Sequence, residues 1–262
     1  MPLTQFFNFG KNSTAYKNTN AYQKPKKPQQ PTAWEKHVAM RDDGIDQFRH
    51  WKKPNVMLLI DILSLNRNEK AHGHQVLLGR YIDQLPGVVA DDYGNRFVTI
   101  GERPAVMWTS HCDTMSTDQK STRHPLCYNR QHDLLFRRNG QVLGADDGTG
   151  IWLMMEMIAA RVPGLYAFFL DEETGRQGSE WSDCNDPERY DDIAYCISFD
   201  RKGKHDIVGT QTGDVCCSDA FQNALHKLIS ENSSIKPVTK AKGSFTDSAS
   251  FMETIPECTN LC

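Results

Sequence analysis

The stretch Leu143-Gly144-Ala145-Asp146-Asp147-Gly148-Thr149-Gly150 decides how the rest of the chain is read. Two adjacent carboxylates sit in a glycine-rich turn, directly before the apolar run Ile151-Trp152-Leu153-Met154-Met155-Glu156-Met157-Ile158. Ile151, Met154, Met155 and Ile158 recur at helical spacing, so the turn opens a buried helix. An acid at a helix start caps it and favours the positive end of the dipole. A cap needs one acid, whereas two acids among glycines also suit a cation held by oxygen ligands. Taken alone, the stretch supports either reading.

Outward from this turn, three strand-like runs each end in metal-ligating residue types. Ala105-Val106-Met107-Trp108-Thr109-Ser110 runs into His111-Cys112-Asp113. Leu165-Tyr166-Ala167-Phe168-Phe169-Leu170 runs into Asp171-Glu172-Glu173-Thr174-Gly175, and Ile193-Ala194-Tyr195-Cys196-Ile197-Ser198-Phe199 into Asp200. Near-continuous apolar runs separated by helical segments predict parallel strands covered on both faces. Ligands of open α/β sheets bind outside the carboxyl ends of the strands, where these acids fall. Helix caps and surface ion pairs do not place acids at the end of every internal strand, so the sequence predicts a metal centre.

An imidazole with several carboxylates suits zinc, cobalt or manganese rather than a thiolate site. The candidates outnumber the ligands of one four-coordinate ion, which points to two ions bridged by a shared carboxylate. Such pairs, roughly 3.5–4 Å apart, activate a water and clamp the oxygens of a reacting carbonyl or phosphoryl group. Asp113, two residues from His111, is placed to hold the imidazole in its metal-binding tautomer. If the strand continues, Glu172 and Glu173 point to opposite sides. One then binds metal while the other stays free as a general base, its pKa raised by carboxylate neighbours.

His-x-Asp, Gly-Ala-Asp-Asp-x-x-Gly, Asp-Glu-Glu-x-Gly and Ser-Phe-Asp, in that order, resemble the co-catalytic zinc exopeptidases. That clan includes leucine-type and tripeptide aminopeptidases and related carboxypeptidases and deacylases. The resemblance implies an α/β fold: a mostly parallel mixed sheet sandwiched between helices in a single catalytic domain. It also implies two Zn2+, with Co2+ or Mn2+ as substitutes. His111 would bind one ion, with Asp113 behind it, and Asp146 would bridge both, ahead of a peptide bond often cis in the clan. Glu173 would bind the second ion and Asp200 the first, and Glu172 would take a proton from the bridging water. The implied substrate is a peptide or an N-acyl or aminoacyl compound, cleaved in the aminopeptidase manner.

Two-domain members of the clan insert a lid of roughly a hundred residues, within normal domain size, after the equivalent of Asp200. Only Arg201–Cys262 follow here, which fits the single-domain branch, with Gly243–Phe251 as a loop near the substrate pocket. Clan members also close the site with a histidine shortly after a segment like Pro256-Glu257-Cys258-Thr259-Asn260. The chain stops at Cys262, so the expectation is a zinc exopeptidase-like domain over residues 35–262, truncated at its C-terminus. An inactive metal-binding or assembly module of the same fold is the competing reading, and a two-metal phosphoesterase, disfavoured by the motif order, a third. His205 is read in a polar turn and His226 on an amphipathic helix from Ala220 to Ile229. His72, His74, His124 and His132 read as surface residues.

At 262 residues the chain has room for one sizeable α/β domain. Its 30 basic and 33 acidic residues nearly balance, which gives no argument for nucleic acid or an anionic membrane. No apolar run approaches the roughly 20 residues of a membrane span, and the N-terminus lacks a signal-peptide pattern. Eight cysteines without a CxxC pair read as thiols, several of them buried, rather than a disulfide framework, and a cytoplasmic location is expected. Residues 1–34, rich in Asn, Gln, Thr, Lys and Pro and free of acids, read as a disordered arm. Some helix is expected between Trp34 and Lys53. Helices are predicted at Val56–Leu63 and His74–Leu85, and a β-hairpin through Val88–Ala90 and Phe97–Ile100.

Overall fold

The apolar runs of the sequence become the central strands of one mixed sheet. The computed structural model describes residues 53–129, 131–137 and 141–262; the arm expected at 1–34 and the segment after it lie outside the described residues. In chain order these form α1 (Pro54–Ser64), α2 (His72–Arg80), β1 (Val89–Ala90), β2 (Arg96–Ile100), β3 (Val106–His111), β4 (Leu126–Asn129), β5 (Leu134–Arg137) and α3 (Ala145–Ala159). There follow β6 (Gly164–Phe169), α4 (Gln177–Asn185), β7 (Tyr195–Ser198), β8 (Asp206–Gln211), β9 (Asp214–Val215), α5 (Asp219–Asn232), β10 (Val238–Gly243) and β11 (Glu257–Asn260). A 3-10 turn at Asp247–Phe251 precedes β11.

The sheet order is β1-β2-β6-β3-β7-β11. β6, β3, β7 and β11 run parallel, and the β1–β2 hairpin adds an antiparallel edge. Every residue of β3 and β6 is buried, so both faces of these strands are covered, as parallel strands require. This is the mostly parallel α/β architecture the sequence predicts. Tyr166, Phe97, Phe168, Phe169, Ile197 and Phe251 form the centre of the core. Phe169 stacks on Phe251 with ring centroids 5.6 Å apart, and Tyr190 meets Phe251 at 4.8 Å. Each such ring contributes about 1.5–3 kcal/mol by burial, enough to fix the turn at Asp247–Phe251 against the strand ends.

α1 starts on Pro54, whose missing N–H costs nothing in a first turn. It buries one acid, Asp61, which accepts from the Tyr81 hydroxyl and from Arg123 Nη1 at 2.8 Å. That contact explains why the second helix stops short of Leu85: α2 ends at Arg80, Tyr81 turns inward to Asp61, and a 3-10 turn at Ile82–Gln84 follows. α5 is capped by Ser218, whose Oγ accepts the Phe221 N–H at 3.1 Å. The β4–β5 hairpin and a second sheet, β10-β8-β9, were not anticipated by the sequence pattern. All eight cysteines are free thiols, six of them buried. Among the described residues no helix is long and apolar enough to cross a membrane.

Candidate metal centre

β3, the entry turn of α3 and the end of β7 deliver three ligand-type side chains to one point. His111 is the last residue of β3, and its imidazole is 1% exposed. Its Nε2 lies 2.8 Å from Asp146 Oδ1 and 3.8 Å from Asp200 Oδ1. One ligand atom from each of the three lies within 4.8 Å of the others. Behind the ring, Asp113 Oδ1 is 3.3 Å from Nδ1, off the line of a hydrogen bond.

The two acids of the Asp146 turn face different surroundings. Gly144 takes a left-handed conformation (φ 76°), and Asp146 and Asp147 depart from helical dihedrals. The peptide bond between them is cis, as the resemblance implied. Asp146 faces solvent and the cluster. Asp147 is buried and accepts the Gly150 N–H at 3.1 Å and the Ser110 hydroxyl at 2.5 Å, in the manner of a cap. A Cβ on residue 150 would fall 2.4 Å from Asp147 Oδ1, which is why that position is glycine.

Glu172 and Glu173 depart from the sequence expectation. β6 ends at Phe169, so they lie in a turn and strand alternation does not separate them. Instead both backbone N–H groups donate to Asp113, Glu172 to Oδ1 at 3.1 Å and Glu173 to Oδ2 at 3.0 Å. Glu173 Oε1 accepts the Met115 N–H at 3.1 Å, and Glu173 is not among the three clustered residues.

Burial lifts the Glu172 carboxyl to about 8, His111 opposing and Asp247, Asp200 and Glu173 reinforcing the shift. Burial likewise raises Glu173 and Asp200, and takes Asp247 to about 7. Burial opposes the imidazolium of His111, but Asp113, Asp146 and Asp200 outweigh it and hold its pKa well above the ordinary value. Acids crowded around one imidazole are what a bound cation would relieve. The donor set, one nitrogen and two carboxylate oxygens, fits a borderline divalent ion. A cleft of about 410 Å³ opens beside Asp146 and Asp200, walled by Thr149 and Phe199.

Sequence reasoning missed Asn260. β11 carries it beside Asp200, where its Oδ1 accepts the Asp200 N–H at 3.0 Å and its Nδ2 donates to the Asp200 carbonyl at 2.5 Å. No local signal marks such a role. Among the described residues the other histidines stay apart from the cluster. His72 and His132 are exposed as expected, but His74 and His124 are each only 4% exposed, a correction to the surface reading. His74 lies on the inward side of α2, its Nδ1 3.4 Å from the Arg67 carbonyl. His226 lies on α5 as expected and donates from Nδ1 to the Pro237 carbonyl at 2.7 Å.

No protein-family profile matches this sequence, and no curated protein matches it. Solved structures do match in fold. The Pyrococcus horikoshii TET1 peptidase, described as assembling into a tetrahedron or a large octahedral shell, aligns with TM-score 0.54 at 14% identity, over 79% of this chain and 90% of its own. The dodecameric PhTET1-12s structure gives 0.53 at 15% identity, over 79% and 89%. The Legionella pneumophila LapA aminopeptidase gives 0.53 at 19% identity over 79% of this chain, which spans only 60% of LapA. The likeness establishes the fold: this chain shares the α/β architecture of these peptidase structures.

Proposed function

We propose that this chain is a metal-dependent hydrolase of peptide or amide bonds, acting as an aminopeptidase-type exopeptidase. The observation that carries the reading is the meeting of His111 and Asp200, from the carboxyl ends of two parallel strands, with Asp146 from the entry turn of α3, and with the half-buried Glu172 beside them. The fold shared with aminopeptidases supports it. Zinc is the first choice of ion, with cobalt or manganese as substitutes. His111, Asp146 and Asp200 would hold one ion, and Asp146 and Glu173 would share a second. Bound there, the metal supplies a Lewis acid for the substrate carbonyl and for water.

The chain's own residues do the rest. Glu172, half-buried beside the cluster, accepts a proton from the attacking water and returns it to the leaving nitrogen. Asp113 holds the Glu172–Glu173 turn through both backbone N–H groups and backs the His111 ring. Asn260 fixes the backbone that presents Asp200. Substrates are peptides or N-acyl and aminoacyl amides. Eight free thiols support a reducing, cytoplasmic setting.

One observation favours a second reading, an inactive metal-binding module: the Glu173 carboxylate engages the Met115 N–H. Zinc-supplemented hydrolysis of aminoacyl, N-acylated and carboxy-terminal amide substrates separates the two. Turnover that Glu172→Gln abolishes while metal stays bound is the expected result. Bound metal without turnover on any substrate in the wild type moves the assignment to the inactive module.

A further inference from the structure

We propose that Arg67 is a positioning residue of the metal centre, a buried guanidinium that sets the distance between the His111 strand end and the Asp146 turn. The inference rests on reading His111, Asp146 and Asp200 as metal ligands.

Arg67 has no exposed surface. Its Nη1 donates to the carbonyls of Cys112 at 3.1 Å and Asp113 at 3.4 Å, the two residues directly after His111. Its Nη2 donates to the carbonyl of Gly144 and, at 3.2 Å, to that of Asp146. One planar fork therefore spans both ligand-bearing segments, a geometry an ammonium on a flexible stem cannot reproduce.

The glycines of the turn make room for this fork. A Cβ on residue 148 would fall 2.9 Å from Arg67 Nη2, and one on residue 144 would fall 3.2 Å from it. With Gly150 reserved for the Asp147 carboxylate, all three glycines of Gly-Ala-Asp-Asp-Gly-Thr-Gly have a steric reason. The adjacent Asn66 anchors the base of the arm. Its Nδ2 donates to the carbonyls of Asp118 at 2.7 Å and Ser121 at 2.9 Å, and its N–H to that of Thr122 at 2.9 Å.

Stability alone is a poor reason to bury such a group. Arg67 Nε has no hydrogen-bond partner, and buried charges are commonly replaced by apolar side chains without loss of stability. Arg137 supplies an internal contrast. It too is buried, but its Nη2 donates to the carbonyls of Leu63 at 2.7 Å and Leu65 at 2.8 Å, neither of them in a ligand-bearing segment.

The test is Co2+ titration of the metal-stripped full chain, read by visible absorption, with circular dichroism reporting the fold. Arg67→Lys keeps the charge and loses the fork. Gly148→Ala keeps the arginine and crowds Nη2, and it carries the test if Arg67→Lys does not fold. Both are expected to bind Co2+ about 10- to 100-fold more weakly, with shifted bands, as when outer partners of metal ligands are lost. Arg137→Lys is expected to lower unfolding stability while keeping wild-type affinity. Wild-type affinity and bands in a folded Arg67→Lys or Gly148→Ala protein would overturn the inference, as would an equal loss in Arg137→Lys. A wild-type chain that binds no Co2+ would overturn the metal reading itself.

Discussion

The Asp113 carboxylate accepts the backbone N–H of Glu172 at 3.1 Å, and through its second oxygen that of Glu173 at 3.0 Å. An acid two residues after His111 thereby fixes the turn that carries the general-base candidate. In Asp113→Asn one of the two N–H groups faces an amide NH2 and loses its acceptor. Hydrogen bonds to a charged group are worth about 1.5–3 kcal/mol each, so a loss of that order in urea unfolding is expected. Hydrolysis is expected to fall further than Asp113's distance from the scissile bond suggests, by about 10- to 100-fold. Wild-type stability and turnover in this variant would show that the turn holds itself.

Asn260 makes a narrower prediction. It grips Asp200 by both the N–H and the carbonyl. Asn260→Asp keeps the acceptor for the N–H but sets a carboxylate oxygen against the carbonyl. A destabilisation of about 1–3 kcal/mol and weaker metal binding are expected, because one buried acceptor loses its partner beside a proposed ligand. Asn260→Ala removes both bonds and separates loss of grip from added repulsion. Unchanged metal affinity in both variants would mean that Asp200 needs no support from β11.

These two contacts also show what the sequence revealed and what it hid. β3, β6 and β7 were legible because strands buried on both faces leave continuous apolar runs, each ending here in His111, Glu172–Glu173 or Asp200. The Asp146 turn was legible because two acids among glycines stand directly ahead of apolar residues at helical spacing. The β4–β5 hairpin was not, because its exposed Leu134 and Phe136 stand in a polar stretch. β10 was hidden too, since Val238-Thr239-Lys240-Ala241-Lys242 is a short run in which two lysines break any apolar pattern. Arg67 and Asn260 act on backbone groups far away in sequence, and no local period records such a contact.

Thiol reactivity should follow burial. Cys184 is exposed and Cys262 half-buried, while Cys112, Cys127, Cys196, Cys216, Cys217 and Cys258 are buried. Burial pushes the Cys112 thiol well above its ordinary pKa, with Asp113 adding to the shift, so it stays protonated and inert. Titration of the native chain with an aromatic disulfide reagent is expected to modify Cys184 quickly and Cys262 slowly, with the other six reacting only on unfolding. Fast reaction of a third thiol would contradict the packing around the sheet.

Asp118 gives a pH prediction away from the centre. Hydrogen bonds from the Ser121 side chain and from the backbone N–H groups of Lys120 and Ser121 lower its carboxyl to about 2. A depressed folded-state pKa adds stability above the ordinary carboxylate value, and this is lost as pH falls through about 2. Carbon NMR titration should therefore find Asp118 still largely ionised at about pH 3, where an ordinary aspartate is largely protonated. A midpoint near 4 would mean that the loop hydrogen bonds do not persist in solution.

Metal loading should stabilise the folded chain, and the sign follows from where the ligands come from. His111, Asp146 and Asp200 lie in three segments far apart in sequence, so the unfolded chain does not hold them together and an ion binds the folded state preferentially. Free ion at about 100 times its dissociation constant then adds about 2.7 kcal/mol. For a domain of this size that raises the melting temperature by about 5–10 °C. A chelator in excess should reverse the rise, and Asp146→Asn or Asp200→Asn should abolish most of it by removing a ligand oxygen. Asp147→Asn is the informative control. Asp147 is buried and turned to Ser110 and Gly150, so its variant should melt lower at every metal concentration yet keep the metal-dependent increment. An increment that survives in Asp146→Asn and Asp200→Asn and vanishes in Asp147→Asn would place the ion on the wrong acid and overturn the assignment.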